Sequence, residues 1–558
     1  MRVTVVYCAE KRERQERDPG RPAGEGMSVM TSRGTRRWWA LGAVCLACLA
    51  VGLDATVLSV ALPTLSKALH ASESDLQWFS SGYFLVLAAA MLPAGLVGDR
   101  YGHKKVLLIS LGLFAVGSAA CAYSTSVAEF MVARVLLGLG GAGVIVMVVS
   151  AVTVLFSKEE RPMAVGIWAA ANFLSLPIGP ILGGWLLTNY WWGWVFLINV
   201  PVALIGLAAV IALFPDSRAL ARPRLDLVGV AASAAGLAAV TFGLIVAGQD
   251  GWGDIGAILL VLAGVALLGG FFAWERWLSR RPNGQPLVDL TLFRSASFTW
   301  GAILASVAIL SMIGVLFTMP QYFQGVLGTD AMGSGLRLLP LIAGVVLGAV
   351  FAVRIVRVVG TKLAVAAGFL LIASALLVGS TTKAGSSEDF VAAWMAVVGM
   401  GMGLAMATAS SAALVEISQE RSGVASAVLQ ALNKVGGPLG TAVLGSVLST
   451  GYLAGLHLSE LPTSAAAAVR QSVFGGVAVA GKIGSVSLLT SVRTSFVHGM
   501  DMALFVSVGI ALAGAVLTVL FLPRTNASKD TVVAVSGHGL AHTRTDKAEK
   551  AGEVVTTA

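Results

Sequence analysis

The chain has few of the residues on which soluble, secreted and metal-binding proteins depend. Only 12% of its 558 residues are charged, and it contains four cysteines and six histidines. About a quarter of the residues in an ordinary soluble domain are charged, so the scarcity of charge excludes that class. Four cysteines in a chain of this length provide no disulfide framework, and six histidines leave little for a metal centre or a catalytic cluster.

Two short patterns have the spacing of chemical motifs but lie in the wrong context. Cys45 and Cys48 form a CxxC inside an apolar run with no second ligand pair, where cysteine packs as a small apolar residue. Gly138, Gly140 and Gly143 form a GxGxxG, yet they lie in another apolar run instead of a strand-turn-helix unit. Both patterns predict helix packing through small residues, with no metal and no cofactor. The same interpretation applies to a third group: Gly399, Gly401 and Gly403.

Long apolar runs dominate what is present. Hydrophobic residues make up 56% of the chain and the mean hydropathy is +0.84. Fourteen mostly apolar runs are each long enough for a helix across about 30 Å of hydrocarbon. They span residues 38–62, 79–97, 105–123, 127–149, 162–187, 191–214, 226–248, 255–274, 298–319, 334–356, 362–381, 389–414, 423–451 and 500–522. The sequence therefore predicts an all-α polytopic membrane protein, with the apolar stretch 464–494 outside the membrane.

Basic residues are concentrated in alternate loops of this layout, which accounts for the net charge of +9 without a nucleic-acid partner. By the positive-inside rule the loops that carry them are cytoplasmic, and both termini then lie in the cytoplasm. The cytoplasmic cations are Arg33, Arg36, Arg37, Arg100, Lys104, Lys105, Lys158, Arg161, Arg218, Arg222, Arg224, Arg276, Arg280, Arg281, Arg294, Arg354, Arg357 and Lys362.

Asp54 is an acid inside the first apolar run, and nothing within that run offers it a partner. A carboxylate near mid-membrane costs about 2.5 to 3.5 kcal/mol, so such acids usually mark an ion or substrate path. Counting residues from Pro63 and Ser126 places Asp54 and Arg134 at similar depths, about 12 to 14 Å below the outer face. The two side chains are therefore predicted to meet, as a proton-coupling pair or, alternatively, as a purely structural ion pair.

A short charged loop separates the second and third runs. Its glycines, acid and bases are Gly95, Asp99, Arg100, Gly102, Lys104 and Lys105. A positive-inside anchor would explain the bases but neither Asp99 nor the glycines. The loop closely resembles the cytoplasmic loop signature of the major facilitator superfamily. The resemblance implies a gate loop that helps to latch two helix bundles together on the cytoplasmic side.

The fifth run contains a proline among glycines, and these residues are Gly166, Gly179, Pro180, Gly183 and Gly184. Proline removes a helix hydrogen bond, and glycines let a neighbouring helix approach closely. The run resembles the kink motif of proton-coupled antiporters in the same superfamily, except that Ser175 stands where the family usually has glycine. An ordinary kinked helix is the alternative.

Further motifs resemble the fourteen-span drug:proton antiporter family and run through most of the chain. They cover residues 53–63, 192–201, 286–294 and 335–340, and Gly193 departs from the family's usual arginine. The resemblance implies six-helix bundles at 38–214 and 298–522, with a two-helix insert at 226–274. The flanking tails, 1–37 and 523–558, are predicted to be disordered because they contain too little apolar surface to fold alone.

The second half of the chain carries fewer acids than the resemblance leads one to expect. Leu429, Gln430 and Lys434 stand where family members that export quaternary ammonium compounds have extra acids, so dicationic substrates are less favoured. Residues 471–482 nevertheless resemble the long external loop of that subgroup. They predict a helical hairpin over the outer mouth, within an extracellular loop at about 452–498.

The resemblance implies proton-driven efflux of lipophilic drugs or antibiotics across the plasma membrane by a protein that works as a monomer. In alternating access, protonation of Asp54 would release the drug outward. Position alone gives a set of candidate residues for the cavity: Trp168, Asn172, Gln321, Gln324 and Glu416. A facilitator or importer of a small metabolite is the rival within transport. A membrane-embedded enzyme is disfavoured, because the histidines fall in predicted loops, span ends or the tail.

Overall fold

The computed structural model describes residues 23–156, 160–214, 226–281, 284, 286–417, 422–456, 458 and 461–523. The regular elements in these residues are helices, which confirms the all-α class predicted from the apolar runs. The described residues divide into two compact units. The first contains the described residues up to 240 together with 260–287 and 328–336, and the second contains 241–259, 288–327 and those from 337 onward.

Helices up to the insert follow one another with short connections. They are α1 Ala23–Ala68, α2 Glu73–Tyr101, α3 His103–Tyr123, α4 Val127–Leu155, α5 Arg161–Asn189, α6 Trp194–Leu197 and α7 Asn199–Leu213. The insert forms α8 Leu227–Asp250 and α9 Ile255–Ser279. Residues 227–240 and 260–279 of these two helices belong to the first unit, and residues 241–259 belong to the second.

The remaining helices begin with a 3₁₀ turn at Leu290–Arg294. They are α10 Ala296–Gln321, the π-helix Tyr322–Val326, α11 Ala331–Arg337, α12 Leu339–Val359, α13 Thr361–Gly379, α14 Glu388–Val415, α15 Ser422–Gly455, α16 Thr463–Gln471, α17 Val473–Ile483 and α18 Val486–Phe521. Twelve membrane-crossing candidates occur in the described residues, and they coincide with twelve of the predicted runs. Helices α5 and α15, with 29 and 34 residues, occupy the positions of the other two runs.

The boundaries of the first and last spans differ from those predicted. Helix α1 begins at Ala23, so the chain is already helical over the second part of the predicted tail 1–37. Extending a helix adds one hydrogen bond per residue, so it continues beyond its apolar segment. Helix α18 begins at Val486 instead of 500, because the Ser485 side chain accepts a hydrogen bond from the Leu488 N–H and caps it there. The predicted tail 523–558 lies almost entirely outside the described residues.

The predicted hairpin consists of helices α16 and α17, which belong to the second unit. The Tyr452 hydroxyl on α15 donates a hydrogen bond of 2.7 Å to the Val469 carbonyl oxygen of α16. A Cβ atom added at Gly476 of α17 would lie 2.8 Å from the Val492 side chain of α18. The hairpin is therefore fastened to α15 and α18 by a buried hydroxyl and a close glycine contact.

Glycines set the helix spacing in the first unit. A Cβ atom at Gly140 on α4 would lie 2.5 Å from the Phe114 backbone nitrogen on α3. In the same pair of helices, a Cβ atom at Gly117 would lie 2.7 Å from the Leu137 nitrogen. Such contacts leave no room for any side chain. The GxGxxG of residues 138–143 is thus part of a helix-packing surface, as its apolar context predicted.

Glycines also set the helix spacing in the second unit, where helices α12 and α14 face each other. Each carries two glycines four residues apart, and an added Cβ atom would collide with a backbone carbonyl of the partner helix in every case. Gly344 and Gly348 face the carbonyl oxygens of Ala396 and Met400. Gly399 and Gly403 make the matching contacts from α14, which confirms the predicted packing role of this group.

Replacing Gly348 with alanine should therefore destabilise the protein. Its methyl group would force α12 and α14 apart, and overpacking of this kind costs about 1 to 3 kcal/mol. Gly270→Ala is a matched control, since a Cβ atom there meets nothing within 4 Å and alanine favours helix. In thermal unfolding of the detergent-solubilised protein, Gly348→Ala should lower the midpoint and Gly270→Ala should not. Equal midpoints for the two variants would contradict the packing argument.

Candidate functional site

Asp54 and Arg134 form a buried ion pair in the first unit. Arg134 Nη1 on α4 donates a hydrogen bond of 2.7 Å to Asp54 Oδ2 on α1. Both side chains are 1% exposed. Counting residues along the two helices thus predicted their contact correctly. A charge-assisted hydrogen bond of this length is a strong one, and in a water-free surrounding its removal is expensive.

The aromatic wall around the pair holds Arg134 in place. Arg134 Nε donates to the Phe79 carbonyl oxygen at 3.2 Å, and its guanidinium carbon lies 4.3 Å from the centre of the Tyr83 ring. The Phe79 ring packs against Phe130 with centroids 4.5 Å apart. The Tyr83 hydroxyl donates to the Val51 carbonyl oxygen at 3.4 Å. These contacts fix the guanidinium by a hydrogen bond and by cation–π attraction.

The pair leaves some hydrogen-bonding capacity unused. Asp54 Oδ1 and Arg134 Nη2 are buried, and neither has a hydrogen-bond partner among the described residues. An unused carboxylate oxygen in a dry site is costly when charged, whereas a proton on it would neutralise the acid. A protonated acid would bind Arg134 less strongly than the ionised acid does.

The kink motif packs directly against the helix that carries Asp54. The Thr56 hydroxyl on α1 donates a hydrogen bond of 3.1 Å to the Ser175 carbonyl oxygen on α5. A Cβ atom at Gly179 would collide with the Thr56 hydroxyl, and one at Gly183 would lie 2.7 Å from the Val57 side chain. The helix continues unbroken through Pro177 and Pro180. The motif therefore places α5 in tight contact with α1 within two or three residues of the acid.

Ser175, which stands where the family usually has glycine, packs against Gly52 of α1, a residue without a side chain. A Cβ atom at Gly52 would collide with the Ser175 hydroxyl oxygen, so the serine occupies the space that Gly52 leaves. Farther along α5, a Cβ atom at Gly184 would lie 2.8 Å from the Ala331 carbonyl oxygen of α11, whose residues up to 336 belong to the first unit. Both faces of the motif are thus closely packed.

The gate loop is a single glycine between two helices. Gly102 has φ of +104°, a conformation that side-chain-bearing residues rarely adopt, and its N–H donates to the Gly98 carbonyl oxygen at 2.8 Å. A Cβ atom at Gly98 would lie 2.7 Å from the Met147 sulfur of α4, while one at Gly95 would make an ordinary contact with Val146. The loop's glycines therefore serve the turn and the close approach to α4.

The charged residues of the loop have different partners. Asp99 lies 3.1 Å from His103 Nε2, and Arg100 lies over the Tyr101 ring at 5.5 Å. Lys104 Nζ donates to two carbonyl oxygens at the end of α7, at 3.1 Å to Ile211 and 2.7 Å to Phe214. Lys105 is exposed. Lys104 thus caps the carboxyl end of a helix, where a cation is favoured.

The candidate cavity residues belong to both units. Trp168 packs with Leu41 and Cys45 in an apolar cluster, roughly 13 Å along α1 from Asp54. Glu416 accepts hydrogen bonds from Ser295 and Ser297, at 2.7 and 2.8 Å, and so fastens the beginning of α10 to the end of α14.

Gln321 is the last residue of α10, and Gln324 lies in the π-helix that follows it. Gln321 is fully buried, and its Nε2 donates to the Phe317 carbonyl oxygen at 3.3 Å. Two remaining sequence candidates, Gly166 and Asn172, lie in α5, and their surroundings are outside the part of the chain that the structure describes.

Sequence reasoning missed Asp501, an acid on α18 in the second unit. It lies sixteen residues into that helix, with one carboxylate oxygen buried and without a hydrogen-bond partner in the described residues. The signal was the same as for Asp54: an acid within a long apolar helix. Starting the last span at 500 made Asp501 look like a residue at a span end.

The chain matches the Major Facilitator Superfamily model over residues 44–441. It is 34% identical to the tetracenomycin C resistance and export protein of Streptomyces glaucescens, over 88% of this chain and 93% of that protein. It is 31% identical to the multidrug efflux pump LfrA of Mycolicibacterium smegmatis, over 88% and 97% of the two chains.

A solved structure has the same fold. It is a bacterial homologue of the human lysosomal transporter Spinster, in an inward-facing and unoccupied conformation, with a TM-score of 0.62 at 15% identity, covering 88% of this chain and 99% of that one. The family match covers more than half of the chain, and the described residues contain twelve helices that are long and apolar enough to cross a membrane. The chain is a multi-pass protein of the plasma membrane and belongs to the Major Facilitator Superfamily.

Proposed function

We propose that this protein exports lipophilic drugs or antibiotics in exchange for protons. The observation that carries the proposal is the buried Asp54–Arg134 pair beside the kink motif. Relatives named for antibiotic export and multidrug efflux support the substrate class. A facilitator or importer of a small metabolite should not need the Gly-Pro kink motif, which here packs closely against α1.

The proposed cycle uses the two forms of the Asp54 site. A proton entering from outside neutralises Asp54 and frees it from Arg134, which weakens the hold of the cavity on a positively charged or polarised drug. Release of the proton inside restores the pair and resets the transporter. This is alternating access, in which the two forms of the site favour different openings of the cavity.

The proposed topology has fourteen spans and cytoplasmic termini. Helices α5 and α15 have the length of spans and occupy the positions of the fifth and thirteenth apolar runs. With them included, the loops rich in arginine and lysine all fall on one side, which the positive-inside rule makes cytoplasmic. The loop containing Lys383 then faces outward.

Asp54→Asn should abolish proton coupling, because the asparagine amide neither binds nor releases a proton near neutral pH. The measurement is the uptake of ethidium, a fluorescent monocation, into inverted membrane vesicles that carry an imposed pH gradient. Wild-type uptake should cease when nigericin collapses the gradient, and Asp54→Asn should show no gradient-driven uptake.

Asp250→Asn is the control for Asp54→Asn, because Asp250 is an exposed acid at the end of α8. It should transport as the wild type does. Wild-type uptake that survives nigericin would refute proton exchange itself. Gradient-driven uptake by Asp54→Asn at the wild-type rate would refute only the assignment of the site.

Lys104→Ala should impair transport and stability, because it leaves two carbonyl oxygens at the end of α7 without their cation. Loss of a charged hydrogen-bond donor costs about 1.5 to 3 kcal/mol, and about 1 kcal/mol where it is exposed. The neighbouring Lys105→Ala removes the same charge from an exposed position. Uptake rates and thermal midpoints should fall for Lys104→Ala alone. Equal losses in both variants would show that net charge, and not the helix cap, is what the loop requires.

A further inference from the structure

Helix α9 carries an apolar stripe along the part that belongs to the first unit. Leu262, Val265 and Phe272 are each about half exposed, and Arg276 is exposed four residues beyond Phe272. Spacings of three, seven and four residues place all four side chains on one face of a helix that turns every 3.6 residues. Because the chain spans a membrane, acyl chains cover this stripe, and an arginine stands at its end.

Two more arginines follow the end of α9. The backbone N–H groups of Arg280 and Arg281 donate to the carbonyl oxygens of Trp277 and Leu278, at 3.2 and 3.1 Å, so the turn stays close to the helix. The Arg281 guanidinium carbon lies 3.5 Å from the centre of the Trp277 ring. Both arginines are exposed. Stacking on the indole orients the Arg281 guanidinium and leaves its N–H donors available at the edge of the group.

The acids next to these arginines are used in packing α9 against α8. Trp274 Nε1 donates to both oxygens of the Asp226 carboxylate, at 3.1 and 3.0 Å, which ties α9 to the residue before α8. Glu275 is fully buried, and a Cβ atom at Gly229 of α8 would lie 2.6 Å from its Oε1. The two carboxylates thus lie where α9 meets α8, while the arginines are exposed.

The three exposed arginines at this end of α9 have no anionic partner. None of them forms an ion pair within the part of the chain that the structure describes, although each guanidinium carries five N–H donors. The positive-inside rule and the carboxyl end of a helix both favour cations here, but neither uses those donors. Phosphate oxygens match the arginine fork two at a time.

We propose that the carboxyl end of α9 is a binding site for an anionic phospholipid. Arg276, Arg280 and Arg281 hold the lipid phosphate, and the acyl chains lie along the apolar stripe. A zwitterionic lipid brings its own cation to the same place, so the site selects lipids with a net negative charge. The site requires only that the chain spans a membrane, and it does not depend on the proposed export function.

Lipid binding to the purified full-length protein tests this site without requiring transport. The measurement is the fluorescence anisotropy of phosphatidylglycerol labelled on an acyl chain, in dodecyl maltoside, with phosphatidylcholine of the same chains for comparison. Wild-type protein should bind phosphatidylglycerol about tenfold or more tightly than phosphatidylcholine, and added salt should reduce this preference. Combining Arg276→Gln, Arg280→Gln and Arg281→Gln should remove the preference. Phosphatidylcholine binding should not change, which shows that the variant is folded.

Trp277→Leu tests the stacked arginine separately. It keeps all three charges but removes the ring on which Arg281 lies, so it should weaken phosphatidylglycerol binding by about two- to fivefold. Phosphatidylcholine binding should again stay at the wild-type level. Wild-type phosphatidylglycerol affinity in this variant would contradict the role of stacking in the site.

The matched control removes three exposed cations from other parts of the chain, by combining Lys105→Gln, Arg470→Gln and Lys482→Gln. It should bind phosphatidylglycerol as the wild type does. Equal losses in the two triple variants would show that net charge alone attracts the lipid, and an unchanged preference in the arginine variant would show that the lipid binds elsewhere. Either result would overturn the inference. Glycerol 3-phosphate has the phosphate without the chains, and displacement of the lipid by an equal concentration of it would assign the site to soluble phosphates instead.

Discussion

A carboxylate in a membrane-spanning helix must be neutralised, and the first unit is arranged around that requirement. Arg134 supplies the opposite charge to Asp54 at 2.7 Å, and Phe79 and Tyr83 hold the arginine by a carbonyl oxygen and a ring face. Helix α4 approaches the other two helices through glycines: a Cβ atom at Gly138 would lie 3.2 Å from the Tyr83 carbonyl oxygen of α2, and one at Gly141 would lie 3.3 Å from the Val51 side chain of α1. The ion pair thus determines which helices meet, and small residues determine how closely.

The two units treat their acids differently, and the difference has chemical consequences. Asp54 and Arg134 are both buried, and each compensates the charge of the other. Asp501 on α18 keeps one buried carboxylate oxygen without a hydrogen-bond partner among the described residues. A buried carboxylate oxygen without a donor is costly when the acid is charged, so the second unit carries a cost that Arg134 offsets in the first.

Sequence reasoning located helices and the Asp54–Arg134 contact because both depend on distance along a helix, and a helix rises a constant 1.5 Å per residue. It gave the cavity candidates, such as Trp168 and Glu416, by position alone, because the sequence does not show which face of a helix a side chain occupies. Glu416 is satisfied by Ser295 and Ser297, a contact between residues more than a hundred positions apart. Asp501 was missed because α18 extends fourteen residues before the apolar boundary that hydropathy indicated.

The kink motif and the charged pair are coupled by the lack of space between α5 and α1. Thr56 donates to the Ser175 carbonyl oxygen, and Gly179 and Gly183 press against Thr56 and Val57 with no room for a methyl group. Close-packed surfaces of this kind transmit displacement instead of absorbing it. A bend of α5 near Pro180 must therefore shift the backbone of α1 two residues from Asp54, and a hydrogen bond of 2.7 Å to Arg134 weakens with even a small shift. Movement of the kinked helix and the strength of the Asp54–Arg134 hydrogen bond then depend on each other.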